Sequence, residues 1–298
     1  MYMNSDCETY TRYNSYACSV YSYLIPRVIP YIKERDNILD LGCGEGKSTN
    51  LLYKTLLTTH KENEFEGNVL GIDLLSPMIE YAKEHYSSAN ERSLKFSNID
   101  ISSEDAVKTI FNAVKGEFID CVVSSLCFHW IEDQTKALAN LLKVINPKVG
   151  SIKMIYGDRV ADNLVYATER VLNNQELSPY LKKFKELHEN LLLPWRRAWM
   201  LESDPISSYK KIMVDLGYDK DKIKIEQLDE INYSIKPSQE AATNYLRGFF
   251  PDVLAEIDKA GLREQFFKQF AENVFDYNQK HYGDKLKFYY PLMYVRYN

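Results

Sequence analysis

Three carboxylates and a glycine cluster, each set at the end of an apolar run, carry the most chemistry in this 298-residue chain. Gly42, Cys43, Gly44 and Gly46 follow Asp40-Leu41, and glycines there allow a tight turn and close approach of a ligand to backbone. Asp73 ends the next run, NVLGID, where a carboxylate can accept both hydroxyls of a ribose. Asp100 and Ile101, in NIDI, offer an acceptor for an exocyclic amine and a face for a ring. The spacing points to one nucleoside ligand at the carboxyl edge of a parallel sheet. The GxGxG pattern, in place of GxGxxG, speaks against a nicotinamide dehydrogenase. Past a fourth run lie His129 and Trp130. A histidine there can take a proton from a hydroxyl or amine, and an indole N–H is a single donor.

These residues must be held by βαβ units, because short β-branched runs alternate with helical patterns through the first half. Strands are predicted at 37–41, 68–73, 93–99, 118–125 and 151–156. Helices are predicted from the glycine turn to about 57, from Ser76-Pro77 to 86, over 102–114 and over 134–145. The rhythm then changes to helical stretches at 163–173, 179–193, 207–216 and 238–279, with strands at 222–227 and 285–297. The expected fold is α/β: a doubly wound, mostly parallel seven-stranded sheet with an inserted helical cap. Its expected organisation is lid helices over 1–36, a cofactor-binding core over 37–158, and cap insertions plus the last strands over 159–298.

With 37 Lys+Arg against 42 Asp+Glu the net charge is −5, and no long basic run appears, so nucleic acid and anionic membrane are disfavoured as partners. The apolar stretch 17–32 is broken by Pro26 and Pro30 and is too short to span a bilayer. The five cysteines are odd in number and lack paired CxxC spacing, which argues for free thiols, no metal site and a reducing, cytoplasmic setting.

The chain resembles class I S-adenosylmethionine-dependent methyltransferases: LDLGCGEG matches that family's first motif, GIDLLSPMIEYA its second and SNIDI its third. The resemblance implies S-adenosyl-L-methionine as cofactor, bound by Asp40, Gly42, Cys43 and Gly44 at the glycine loop. It further implies Asp73 on the ribose, Asp100 on the adenine amine and Leu74 and Ile101 on either side of the ring. The backbone of Ser124, Ser125 and Leu126 would receive the methionine ammonium.

FHWIEDQTKALANLLKVINP and YKKIMVDLGY are similar to stretches of juvenile hormone acid methyltransferases and, more loosely, of trans-aconitate methyltransferases. That likeness implies a small, acidic, largely apolar substrate methylated on its carboxylate, held in part by Trp130. Ala17 stands where those proteins carry a glutamine, so Tyr13 or Tyr16 is expected to supply the missing hydroxyl. Trp195 and Trp199, in PWRRAW, suit an apolar tail, or else pack in an amphipathic helix whose arginines reach solvent. Two alternatives stay open. One is methylation of a phenol or amine with His129 as base, and the other is a cofactor-binding protein without catalysis.

Overall fold

The computed structural model describes residues 7–60, 65–87, 93–158, 160–228, 255–284 and 292–298. Its contacts divide the chain into two compact units. One comprises Ala17–Tyr156, Ile206–Ile231 and Met293–Asn298, the other Met1–Tyr16, Gly157–Pro205 and Asn232–Leu292. The segment 1–36 is therefore split, its first helix grouping with the helical unit and its second with the sheet.

The sheet unit begins with helix α2 (Ser15–Val28), which follows α1 (Cys7–Tyr13). Then come β1 (Asn37–Leu41), α3 (Lys47–Thr59), β2 (Asn68–Asp73), α4 (Ser76–Tyr86), β3 (Leu94–Asn98) and α5 (Ala106–Ala113). After these follow β4 (Cys121–Ser125), α6 (Gln134–Val144), β5 (Ser151–Gly157), α9 (Pro205–Asp215), β6 (Ile223–Leu228) and β7 (Leu292–Tyr297). The seven strands lie in the order β3-β2-β1-β4-β5-β7-β6. The β1–β2, β2–β3, β1–β4 and β4–β5 pairs are parallel. The order reverses between β1 and β4, and a crevice at such a reversal is where open α/β sheets bind ligands.

A polar clamp at the amino edge sets the register that brings the carboxyl ends into line. The Asn37 amide N–H donates to Asp120 Oδ2 at 3.0 Å, and its Nδ2 donates to Glu117 at 2.8 Å. Asn68 Nδ2 donates to Asn37 Oδ1 at 2.8 Å, and Asn146 Nδ2 to Asp120 Oδ1 at 2.9 Å. All five residues of β1 are buried, as a central parallel strand covered on both faces requires.

Among the boundaries that differ from the sequence expectation, three bear on the site and its surroundings. The helix expected from 102 starts at Ala106, because the Asp100 carboxylate holds the preceding residues in a turn. The ladder of the fourth strand starts at Cys121, with Phe118 exposed and Ile119 making an isolated bridge to Ile145. The single helix expected over 179–193 is a 3-10 turn, Ser178–Tyr180, and then α8 (Lys182–Glu189). Leu191 at φ +57° ends that helical path, and Leu192–Leu193 pairs antiparallel with Arg196–Arg197. PWRRAW is therefore a tight hairpin arm running into a 3-10 turn, not an amphipathic helix, and Arg197 is buried instead of reaching solvent. The predicted stretches 238–254 and 285–291 lie outside the described residues.

The helical unit is built on α7 (Asp162–Leu172) packed against α11 (Arg263–Tyr282), which the short α10 (Ala255–Lys259) precedes. Phe184, Phe266, Phe267 and Phe270 form its aromatic core, and Asn163 Nδ2 donates to Asn278 Oδ1 at 3.0 Å inside it.

Candidate active site

The turn leaving β1 is hooked over β2: the amides of Gly42 and Cys43 both donate to the Ile72 carbonyl, at 2.8 and 3.0 Å. Gly42, Gly44 and Gly46 all have positive φ, +76°, +55° and +84°, where a side chain is strained. Two of them also answer to packing within the chain. A Cβ on Gly42 would lie 2.0 Å from Cys127 Sγ, and one on Gly46 would lie 2.7 Å from the Ala82 methyl. The close approach at Gly42 is thus made by the segment leaving β4.

Asp73, at the end of β2, holds that turn from the side. Its Oδ2 accepts the Gly44 N–H and its Oδ1 the Leu75 N–H, each at 2.9 Å. A carboxylate has about four lone-pair positions, so each oxygen keeps capacity toward a ligand hydroxyl. Burial pushes the Asp73 carboxyl above its usual range, against the pull of those backbone donors. Beside it, Asn98 Nδ2 donates to the carbonyls of Asp73 and Leu74 at 2.9 and 2.7 Å, and the Leu74 side chain stands 40% exposed. An apolar side chain held open at a strand end is available to a ring face. Ile101, in contrast, is buried, and Asp100 Oδ1 accepts from the amide and hydroxyl of Ser102 at 2.8 and 2.6 Å.

At the end of β4, Ser124 Oγ donates to the Leu41 carbonyl at 2.8 Å, tying the two central strands together. Ser125 Oγ is buried with no hydrogen-bond partner among the described residues. Leu126 takes φ +54°, and its N–H donates to the Ile155 carbonyl at 2.8 Å. A non-glycine residue in that conformation costs of the order of 1–3 kcal/mol, which the surrounding packing and hydrogen bonds must offset. The 3-10 turn Phe128–Trp130 follows, closed by the Trp130 N–H to the Cys127 carbonyl at 2.8 Å and by Gln134 Nε2 to the Phe128 carbonyl at 3.0 Å. His129 and Trp130 are both buried, with ring centroids 5.7 Å apart. Phe128 anchors the turn on Tyr156, 5.3 Å between centroids.

The sheet unit therefore brings together, at one carboxyl edge, the residues expected on β1, β2, β3 and β4. Trp195 and Trp199 belong to the helical unit and are buried there, Trp195 against Phe270 at 6.4 Å. The side chains of Tyr13 and Tyr16 lie outside the described residues.

Asp40 is placed differently from a ligand contact. Its Oδ2 accepts from Tyr21 of α2 at 2.9 Å and from Thr49 of α3 at 2.7 Å, and the residue is 1% exposed. Neither partner was expected from the motif. The legible signal was the stripe Val20, Tyr21, Leu24, Val28 on α2, whose helical spacing marks a buried face.

Burial raises the Asp40 carboxyl to about 6, the two hydroxyl donors opposing and the Asp73 charge adding to the rise. The folded chain then holds a proton that the unfolded chain has released, so stability is greatest below the ordinary carboxylate range and falls as pH rises to about 6. The loss is about 3 kcal/mol, complete by neutrality. Asp40→Asn should remove that slope in urea unfolding measured between pH 4 and pH 7. Parallel profiles for wild type and variant would contradict it.

Residues 32–193, over half the chain, match the family model described as a methyltransferase domain. The chain is 26% identical over 247 residues to a juvenile hormone acid O-methyltransferase of Drosophila melanogaster, covering 82% of this chain and 72% of that protein. It is 22% identical over 200 residues to the protein of that name from Bombyx mori, covering 67% of this chain and 63% of that one. Among solved structures, a loganic acid methyltransferase with SAH superposes with a TM-score of 0.66 at 11% identity, covering 100% of this chain and 98% of that one, a likeness of fold. With a strand order that reverses at β1 and β4 and a glycine turn at that reversal, this chain belongs to the methyltransferase family, on the Rossmann-like, mostly parallel seven-stranded sheet of that fold.

Proposed function

We propose that the protein transfers a methyl group from S-adenosyl-L-methionine to the carboxylate of a small, acidic, largely apolar metabolite. The observation that carries the donor half is the Asp73–Gly44 tie. It fixes a carboxylate with spare acceptor capacity beside an exposed Leu74, a pairing suited to a ribose and the ring it bears. The buried Ser125 hydroxyl fits the same ligand, since an unsatisfied group of that kind costs about 1–3 kcal/mol unless something pairs with it. When bound, the cofactor supplies an electrophilic methyl on a sulfonium. Asp73 would accept the ribose hydroxyls, Leu74 would cover one face of the ring, and Asp100 would accept from its amine through Oδ2, since its own turn engages Oδ1. The backbone carbonyls of 124–126 accept from the ammonium.

The acid half rests on the two relatives named for O-methylation of juvenile hormone acid and on Trp130, set just past β4. A carboxylate is ionised at neutral pH, so this chain needs to align it and exclude water, and no base is required. Trp130 Nε1–H is the donor assigned to it. Trp130→Phe should raise the acceptor KM about tenfold, the cost of one hydrogen bond to a charged group. His129→Asn should leave the high-pH plateau of the single-turnover rate in place.

The test is a labelled-methyl transfer screen over fatty, terpenoid and tricarboxylic acids, with calorimetry of S-adenosylhomocysteine on the same protein. Base-labile methyl esters are the expected products. Transfer to a phenol or amine, with a pH-dependent limb in the rate that His129→Asn abolishes, would replace the carboxylate reading. Tight cofactor binding without transfer to any of these acids would leave a binding protein.

A further inference from the structure

Helix α2 lies outside the βα repeat of the sheet, yet its buried face reaches the cofactor loop at two successive turns. Tyr21, 3% exposed, donates to Asp40 Oδ2 at 2.9 Å, the oxygen that also accepts from Thr49. Asp40 sits two residues before Gly42 and is in register with Gly71 of β2 and Val123 of β4, at the root of the loop. One turn earlier, the Cys18 thiol lies within electrostatic reach of Glu45, Lys47 and Ser48, where the loop enters α3. The titratable groups facing Asp40 are Tyr21 from α2, Asp73 from β2, Cys43 of the loop and Cys127 after β4. None of these is a cation. The hydroxyls of Tyr21 and Thr49 therefore carry the stabilisation of this buried carboxylate.

We propose that Tyr21 is a positioning residue, whose hydroxyl couples the seating of α2 to the geometry of the cofactor loop through Asp40, so that helix and loop become ordered together when the methyl donor binds. The inference rests on the donor reading and adds a residue and a linkage to it. A carboxylate that loses one of two donors takes up its proton at higher pH. The ionised form favours a ligand bearing an ammonium, so the coupling has a signature in pH as well as in affinity.

Calorimetry of S-adenosylhomocysteine between pH 5 and pH 8 tests it on wild type, Tyr21→Phe, Asp40→Asn and the double variant. In wild type, affinity should rise through about pH 6 and level off above. Tyr21→Phe should weaken binding about tenfold at pH 7 and move that midpoint upward. In the Asp40→Asn background, Tyr21→Phe should have no further effect. A weakened Tyr21→Phe with an unmoved midpoint would mean that the tyrosine only packs, and overturns the coupling while leaving the donor reading intact. Absence of binding by wild type overturns both. Hydrogen exchange on wild type tests the same coupling without a variant. Ligand should slow exchange across 17–28 together with 42–50, and protection confined to the loop overturns the proposal.

Discussion

Asp73→Ala is expected to weaken the binding of S-adenosylhomocysteine about 100-fold, near 3 kcal/mol. Two losses combine in that figure. The carboxylate accepts the amides of Gly44 and Leu75, so its removal leaves two part-buried donors without their acceptor and frees the loop from β2. It also deletes the acceptor proposed for the ribose. The two are separable with a ligand that lacks the ribose hydroxyls, in the manner of a double-mutant cycle. Such an analogue should bind wild type weakly and lose much less on Asp73→Ala than the full ligand does. Equal losses would reduce Asp73 to a fastener of the loop. An affinity within twofold of wild type would remove it from the site.

The fold was legible where a short-range pattern was sufficient. Strands β1 and β2 have the expected bounds because each is a largely apolar run with a sharp stop, the glycine turn after Leu41 and Asp73 before the next turn. The start of α5 was missed because Asp100 competes for the backbone of the next turn through Ser102, the way short polar side chains displace a helix start. The hairpin at 192–197 was missed because periodicity continues smoothly from α8 through Leu191. Only that residue's left-handed backbone, which no pattern announces, breaks the helix.

The site divides along the same line. Glycines and carboxylates at strand ends are a local pattern, and all of them reach the one sheet edge. The reasons for them are long-range. That Asp40 faces α2, and not a ligand, depends on where a separate helix settles. That Asp100 also holds its own turn, through Oδ1, depends on the loop after β3. The hydroxyl of Ser125 and the strained Leu126 acquire meaning only once β4 is placed between β1 and β5.

Gly42→Ala is expected to destabilise the protein by about 4 kcal/mol, the sum of a side chain in the left-handed region and an overpacked contact. The first cost follows from φ +76°. The second is steric: the new methyl would stand 2.0 Å from Cys127 Sγ and 2.3 Å from its Cβ, so a change of rotamer cannot relieve it. Cys127 must move, and its carbonyl closes the turn that carries His129 and Trp130. The strain therefore lands on the acceptor side, and methyl transfer well below the melting temperature should fall more than cofactor affinity does. Cys127→Gly removes both clashing atoms and leaves the Cys127 Cα at 3.7 Å, an ordinary contact. The double variant should recover about 2 kcal/mol relative to the sum of the single changes, retaining only the backbone cost. Urea unfolding of the four proteins measures that coupling. Additive effects would mean that the glycine loop itself gives way, and the turn at Trp130 would then keep its place and its activity.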